Sequence, residues 1–128
     1  MAPRRVLAID DDFQVLRIIE LGLAELGHLV VLRASNGRAG ATMAAADPPD
    51  LILLDCDMPT MDGLDTLRLL RASERTVRTL IVAMTGSWLS TSRCAEMMAG
   101  CNTFLVKPFT LKTLRDTVLS FLPAGGDT

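Results

Sequence analysis

Leu51-Ile52-Leu53-Leu54 is an unbroken apolar run bounded by Asp50 and Asp55. A strand built from it has no polar face to turn toward water. It must be covered on both sides, which is the situation of a central strand in a parallel sheet. Asp55-Cys56-Asp57-Met58-Pro59 then shows no helical period and ends in a proline. The chain therefore leaves the sheet there, with Asp55 at the carboxyl end of the strand. In an open α/β sheet ligands gather at that edge.

The remaining chain repeats the same unit. Val6 to Ile9 reads as a short buried strand ending in Asp10-Asp11-Asp12. Val15, Leu16, Ile19, Leu23 and Leu26 then fall on one arc of a helix that Asp12 caps and Gly27 stops. Leu29 to Leu32 reads as a second strand, and Ser35-Asn36-Gly37 turns into an alanine-rich helix over about residues 38 to 46, closed by Asp47-Pro48-Pro49. After the Leu51 strand, Asp62 is placed to cap a helix whose Leu64, Leu67 and Leu70 face inward.

Leu80 to Met84 is a fourth strand, ending at Thr85-Gly86, and the helix after it is expected to turn Cys94, Ala95, Met98 and Cys101 to one side. Thr103 to Val106 is a fifth strand, ending at Lys107-Pro108. A last helix, capped by Thr110, presents Leu111, Leu114, Val118, Phe121 and Leu122. Five strand-helix units in succession imply an α/β fold: a single five-stranded parallel sheet, doubly wound, with right-handed crossovers.

The 128 residues, 49% of them hydrophobic, suffice for one domain with a real core. A formal charge of −2 and 4% aromatic residues offer neither a positive field nor stacking platforms, so no direct nucleic-acid partner is expected. Cys56, Cys94 and Cys101 are three, spaced for neither a disulfide framework nor a zinc site, which fits a reducing cytoplasm. The four apolar residues after Met1-Ala2-Pro3-Arg4-Arg5 make neither a signal peptide nor a membrane span, so no membrane partner is expected.

The topology has a chemical consequence. Asp10 with Asp11, Asp55, Thr85 and Lys107 each follow a strand, and parallel strands place all these ends on one rim. Three carboxylates repel one another, and one lysine does not neutralise them. A divalent cation is the natural occupant, and oxygen-only ligands favour Mg²⁺ or Mn²⁺ over zinc. Such a metal leaves positions for phosphate oxygens, which the Thr85 hydroxyl and the Lys107 ammonium can meet from the other side. An ionised carboxylate attacks phosphorus without a general base, and Asp55, central in the sheet, is the best nucleophile.

Ile9-Asp10-Asp11-Asp12, Leu54-Asp55-Cys56-Asp57-Met58-Pro59 with Met61-Asp62-Gly63, Met84-Thr85-Gly86 and Val106-Lys107-Pro108-Phe109 together resemble the receiver domain of two-component response regulators. The resemblance covers roughly residues 4 to 122, each motif at the end of the strand that the family requires. It implies flavodoxin-like strand order 2-1-3-4-5, a receiver domain over residues 1–122, and a tail or linker stump over 123–128.

Carried over residue by residue, the resemblance implies that Asp10 and Asp11 hold Mg²⁺, Asp11 more directly, with Asp55 and the backbone carbonyl of Asp57 in the same metal sphere. Asp55 would accept a phosphoryl group from a phosphohistidine, on a sensor histidine kinase or a histidine phosphotransfer domain. Thr85 and Lys107 would bind the phosphoryl oxygens, and the Lys107–Pro108 bond would be cis. Thr85 and Phe104 would form the switch that reshapes the face of the fourth helix, fifth strand and fifth helix for a downstream protein target. The result would be a self-phosphorylating and slowly self-dephosphorylating signalling domain and not a turnover enzyme.

Some residues depart from the common pattern. Asp57 puts a negative side chain beside the phosphoryl site, Ser87 and Gly86 shape the path of attacking water, and Trp88 is unusual in its loop. Other residues read structurally: His28 as a solvated loop residue, Cys56 as packing, Cys94 and Cys101 as core, and Arg68, Arg71, Arg75 and Arg78 as a solvated basic face. Two other functions stay open. Asp55-Cys56-Asp57 is also similar to the Asp-x-Asp motif of haloacid-dehalogenase-like phosphatases, with Asp57 as general acid. Pro59 and the absence of a cap domain speak against that. The second is a pseudo-receiver scaffold, against which all the site residues are present. No output segment follows residue 122, so a stand-alone receiver and a piece of a longer protein are both expected possibilities.

Overall fold

The computed structural model describes residues 3–58, 63–86 and 92–124, the side chains of 92–94 excepted. Among the described residues five strands and five helices alternate. They are β1 (Arg4–Ile9), α1 (Phe13–Ala24), β2 (Leu29–Ala34), α2 (Gly37–Ala46), β3 (Leu51–Asp55), α3 (Gly63–Ala72), β4 (Leu80–Thr85), α4 (Ser92–Gly100), β5 (Thr103–Val106) and α5 (Leu111–Phe121). All strand pairs are parallel, in the order β2-β1-β3-β4-β5. The expected doubly wound sheet is therefore the observed one. β1 and β2 extend beyond their apolar runs because Arg4 and Arg5 pair with Leu29 and Val30, and Arg33 and Ala34 with Ala8 and Ile9.

Every residue of β3 is buried, and its alternation feeds two cores. Leu51 and Leu53 join Val6, Ala8, Val82 and Met84 under α1 and α5, where Leu16, Ile19, Leu23, Leu114 and Val118 close the layer. Ile52 and Leu54 join Leu7, Ile9 and Ile81 under α2, α3 and α4, against Ala44, Leu64, Leu67, Leu70 and Met97. At about 1.5–3 kcal/mol per fully buried aliphatic side chain, these two layers are the main stabilising contribution.

The caps follow the sequence where they are described. Asp12 accepts from the backbone N–H groups of Gln14 and Val15, Asn36 from Ala39, and Thr110 from Thr113. Gly27, just past α1, has φ +82°, a conformation that side-chain-bearing residues rarely adopt. Asp62, with Pro59 and Met61, lies outside the described residues, as do Ser87, Trp88 and the end of the tail, residues 125–128.

Two expectations need correction, and a third does in part. α4 buries Met97, with Cys101 partly buried, while Ala95 is exposed and Met98 is 50% exposed. Gly100 packs against α3: a Cβ there would lie 2.6 Å from Leu67 Cδ2, the mobile end of a side chain that would have to shift. The Cys94 side chain is not among those described. His28 is not a solvated loop residue. It is partly buried, with Nε2 2.9 Å from the Leu122 carbonyl and Nδ1 3.3 Å from that of Leu26, tying the α1–β2 turn to the end of α5.

Of the arginine run, Arg68, Arg75 and Arg78 are exposed, as a solvated face requires, but Arg71 is partly buried, and Arg68, Arg71 and Arg75 hold protein partners. Arg68 makes a two-pronged pair with Glu96 on α4, both contacts at 2.7 Å. Arg71 donates to the carbonyls of Thr76, Val77, Thr79 and Gly100. Arg75 donates to those of Ala45 and Ala46 at the end of α2. Planar guanidinium groups with several donors suit this stapling of helix ends and loops. Among the described residues no helix is long and apolar enough to cross a membrane.

Candidate functional site

Four strand ends meet on one rim, and backbone hydrogen bonds set their register. The Cys56 N–H donates to Met84 O at 2.8 Å and the Lys107 N–H to Thr85 O at 2.7 Å, so pairing continues just past β3 and β5. The Asp10 N–H donates to Ala34 O at the end of β2. Asp10 is fully buried, and its Oδ1 accepts from the Asp12 N–H at 2.9 Å. Asp12 in turn caps α1, so one chain of hydrogen bonds holds the β1–α1 turn and leaves Asp11 exposed between its neighbours.

Asp55 is 1% exposed. Its Oδ1 accepts from the Asp57 N–H at 3.0 Å and lies 3.4 Å from Lys107 Nζ. The same ammonium donates to Asp10 Oδ2 at 2.7 Å, bridging two carboxylates that are 45 residues apart in the chain. Gly63 makes room beneath. A Cβ there would stand 2.6 Å from both Asp55 O and Cys56 Cα, so the start of α3 can tuck under β3 only as glycine. The Lys107–Pro108 bond is cis.

Among the described residues the site is short of positive charge. Burial pushes Asp55 up from an ordinary 3.8 to about 6, against the Asp57 N–H, and the charge of Asp10 raises it while Lys107 lowers it. Burial also works against the Lys107 charge, but its hydrogen bond to Asp10 and the two carboxylates outweigh this and hold its pKa above the ordinary lysine value. Among the described residues Lys107 is the cation in contact with Asp10 and Asp55, and its single charge does not balance the carboxylates of Asp10, Asp11 and Asp55.

Carboxylate oxygens of Asp10, Asp11 and Asp55 lie within 4.8 Å of one another. Oxygens bound to one Mg²⁺ at about 2.1 Å sit roughly 3–4 Å apart, so small side-chain adjustments suffice to bring these three onto one ion. The donor set, all hard oxygens with one exposed member, fits such a cation. Thr85 is buried, at 3% exposure, where β4 ends on this rim. Asp57 is exposed, and its Oδ2 accepts from the Gly86 N–H at 3.1 Å.

Phe104 lies apart from this cluster, on edge strand β5. The residue is 42% exposed and lines a cleft of ≈ 130 Å³ with Ala83, Met97 and Cys101. Burial pushes the Cys101 thiol up to about 11, against the nearby Arg71 charge, so it behaves as a packing group. Cys56 is partly buried against the α2–α4 layer, in keeping with its reading as packing.

The Asp57–Gly86 hydrogen bond has no counterpart in the sequence reading. Both residues are visible there as neighbours of the site, but nothing in the letters joins positions 29 apart until β3 and β4 are in register.

The family model for the response regulator receiver domain matches residues 6–119. The chain is 36% identical over 124 residues to the transcriptional regulatory protein PrrA of Mycobacterium tuberculosis, covering 97% of this chain and 52% of PrrA. It therefore spans about half the length of that relative. Among solved structures, Vibrio cholerae chemotaxis protein CheY4 superposes with TM-score 0.85 at 29% identity, covering 94% of this chain and 99% of that one. The receiver domain of the sensor histidine kinase PA1611 from Pseudomonas aeruginosa, solved with magnesium coordinated in its active-site cleft, does so with TM-score 0.84 at 31% identity, covering 94% and 98%. These matches lend no support to the phosphatase-like reading of Asp55-Cys56-Asp57.

Proposed function

The chain belongs to the response regulator receiver family, and from that premise we propose that it takes a phosphoryl group from a phosphohistidine onto Asp55 in a Mg²⁺- or Mn²⁺-dependent reaction. The donor is a sensor histidine kinase or a histidine phosphotransfer domain, acting in the cytoplasm. The observation that carries this reading is the meeting of Asp10, Asp11 and Asp55 on one rim, with Lys107 2.7 Å from one carboxylate and 3.4 Å from another.

Asp10, Asp11 and Asp55, with the Asp57 backbone carbonyl, would hold the metal. When bound, the ion neutralises the carboxylates and the incoming phosphoryl oxygens. Asp55 has a pKa of about 6, so most of it is ionised at neutral pH and its free oxygen can attack. The P–N bond to the donor imidazole breaks as the P–O bond to Asp55 forms. Lys107 is already held at the mouth by two carboxylates and offers its charge to the phosphoryl oxygens without a costly rearrangement.

The new dianion at the end of β3 draws the Thr85 hydroxyl from the neighbouring end of β4. Phe104 sits one strand farther out, beside the cleft under α4, so movement at Thr85 changes the space open to its ring. The face of α4, β5 and α5 then presents a different surface to a downstream protein target.

The test is intact-mass analysis after incubation with a small-molecule phosphodonor. Wild type is expected to gain one phosphoryl group only when Mg²⁺ is present, and Asp55→Asn none. Equal labelling of the two proteins would overturn the assignment.

A further inference from the structure

Asp57 does more than stand beside the acceptor. Its backbone N–H donates to Asp55 Oδ1 at 3.0 Å, while its carboxylate Oδ2 accepts from the Gly86 N–H at 3.1 Å. One residue thus ties the acceptor at the end of β3 to the first residue after β4. Gly86 follows Thr85 directly, and among the described residues beyond its chain neighbours a Cβ built on it would have Asp57 Oδ2 and Lys107 Cβ nearest, each at 4.0 Å. The amide therefore belongs to the strip between the site's exposed carboxylate and its ammonium-bearing side chain.

A phosphoryl group on Asp55 would bring oxygens with nearly two negative charges to the mouth of this strip. Those oxygens seek N–H donors, and the Gly86 amide is one whose present acceptor is also an anion. The amide has a single hydrogen to give. A carboxylate two residues from the phosphoryl group is in addition repelled by it. Both effects favour one exchange, in which Asp57 releases Gly86 and turns toward solvent.

Resting on the phosphoacceptor reading of Asp55, we propose that Asp57 is a positioning residue that latches Gly86 in the unphosphorylated protein. The carboxylate stands in for the phosphoryl group at this donor and must yield it before Gly86 can engage the modified Asp55. The contact favours only one of the two states, so it shifts the equilibrium toward the resting one by its own strength. A hydrogen bond to a charged acceptor makes this a shift of roughly ten-fold.

Two variants separate the latch from simple charge repulsion. Asp57→Asn keeps a side-chain oxygen for Gly86 but removes the charge, and Asp57→Ala removes both; each keeps the backbone groups. Beryllofluoride, an acyl-phosphate mimic, is titrated at saturating Mg²⁺, and the Gly86 amide resonance is followed by NMR in the metal-free, fluoride-free proteins.

The latch requires Asp57→Ala to bind beryllofluoride about ten-fold more tightly than wild type, with Asp57→Asn between them. It also requires the Gly86 amide proton to shift upfield in Asp57→Ala and less in Asp57→Asn. Equal affinities in all three proteins overturn it. So do equal gains in the two variants with an unmoved Gly86 resonance, which is the signature of charge alone. Failure of wild type to bind beryllofluoride overturns the phosphoacceptor reading itself, and the latch with it.

Discussion

Asp55 is costly to keep ionised in a metal-free site, because it is buried beside Asp10 and shares Lys107 with it. Its folded-state pKa of about 6 lies above the ordinary 3.8. Between those values the folded protein holds a proton that the unfolded chain has lost, so stability falls as pH rises from about 4 to 6 and then levels. The shift corresponds to about 3 kcal/mol as an upper bound. Asp55→Asn is expected to raise the stability of the metal-free protein at pH 7 by roughly 2 kcal/mol and to flatten this slope. Urea denaturation across that pH range checks both, and an unchanged slope would contradict the assignment of the proton to Asp55.

Elements were legible in the sequence to the extent that their signals were local. Runs such as Leu51 to Leu54 end at polar residues, so Asp10, Asp55, Thr85 and Lys107 could be assigned to one rim before any coordinates. α4 was not legible, because Cys94, Ala95, Met97, Met98 and Ala99 offer apolar residues nearly all round it, and the burial of Met97 is decided by packing against α3 and the sheet. The work of Arg71 and His28 was hidden for a related reason: the carbonyls they meet become neighbours only after packing. Gly63 is the element-scale dependence of the site. Gly63→Ala forces a Cβ against backbone atoms of Asp55 and Cys56 that no side-chain rotation can clear. A loss of about 1–3 kcal/mol is expected, together with weakened phosphoryl acceptance. Thermal unfolding and the phosphorylation rate measure the two, and a fully active, equally stable variant would show that α3 does not support Asp55.

For the whole molecule, the parallel sheet stabilises the fold with one edge left unsatisfied in charge. Two apolar layers hold β1 and β3 side by side, which keeps three carboxylate-bearing positions within reach of one ion. Binding there should stabilise the fold as a whole, by about 2.7 kcal/mol at Mg²⁺ a hundred-fold above its Kd. Asp11→Ala is expected to remove most of that gain without lowering the stability of the metal-free protein, because Asp11 is exposed. Calorimetry with and without Mg²⁺ tests this, and an equal gain in the variant would place the ion elsewhere.

The most direct measurement is chemical localisation of the phosphoryl group. Borohydride converts an aspartyl phosphate to homoserine, which tandem mass spectrometry locates in the sequence. After phosphorylation in Mg²⁺, homoserine is expected at position 55 alone and absent when the metal is withheld. Homoserine at position 10, 11 or 57, or at none, would contradict the proposed role of Asp55.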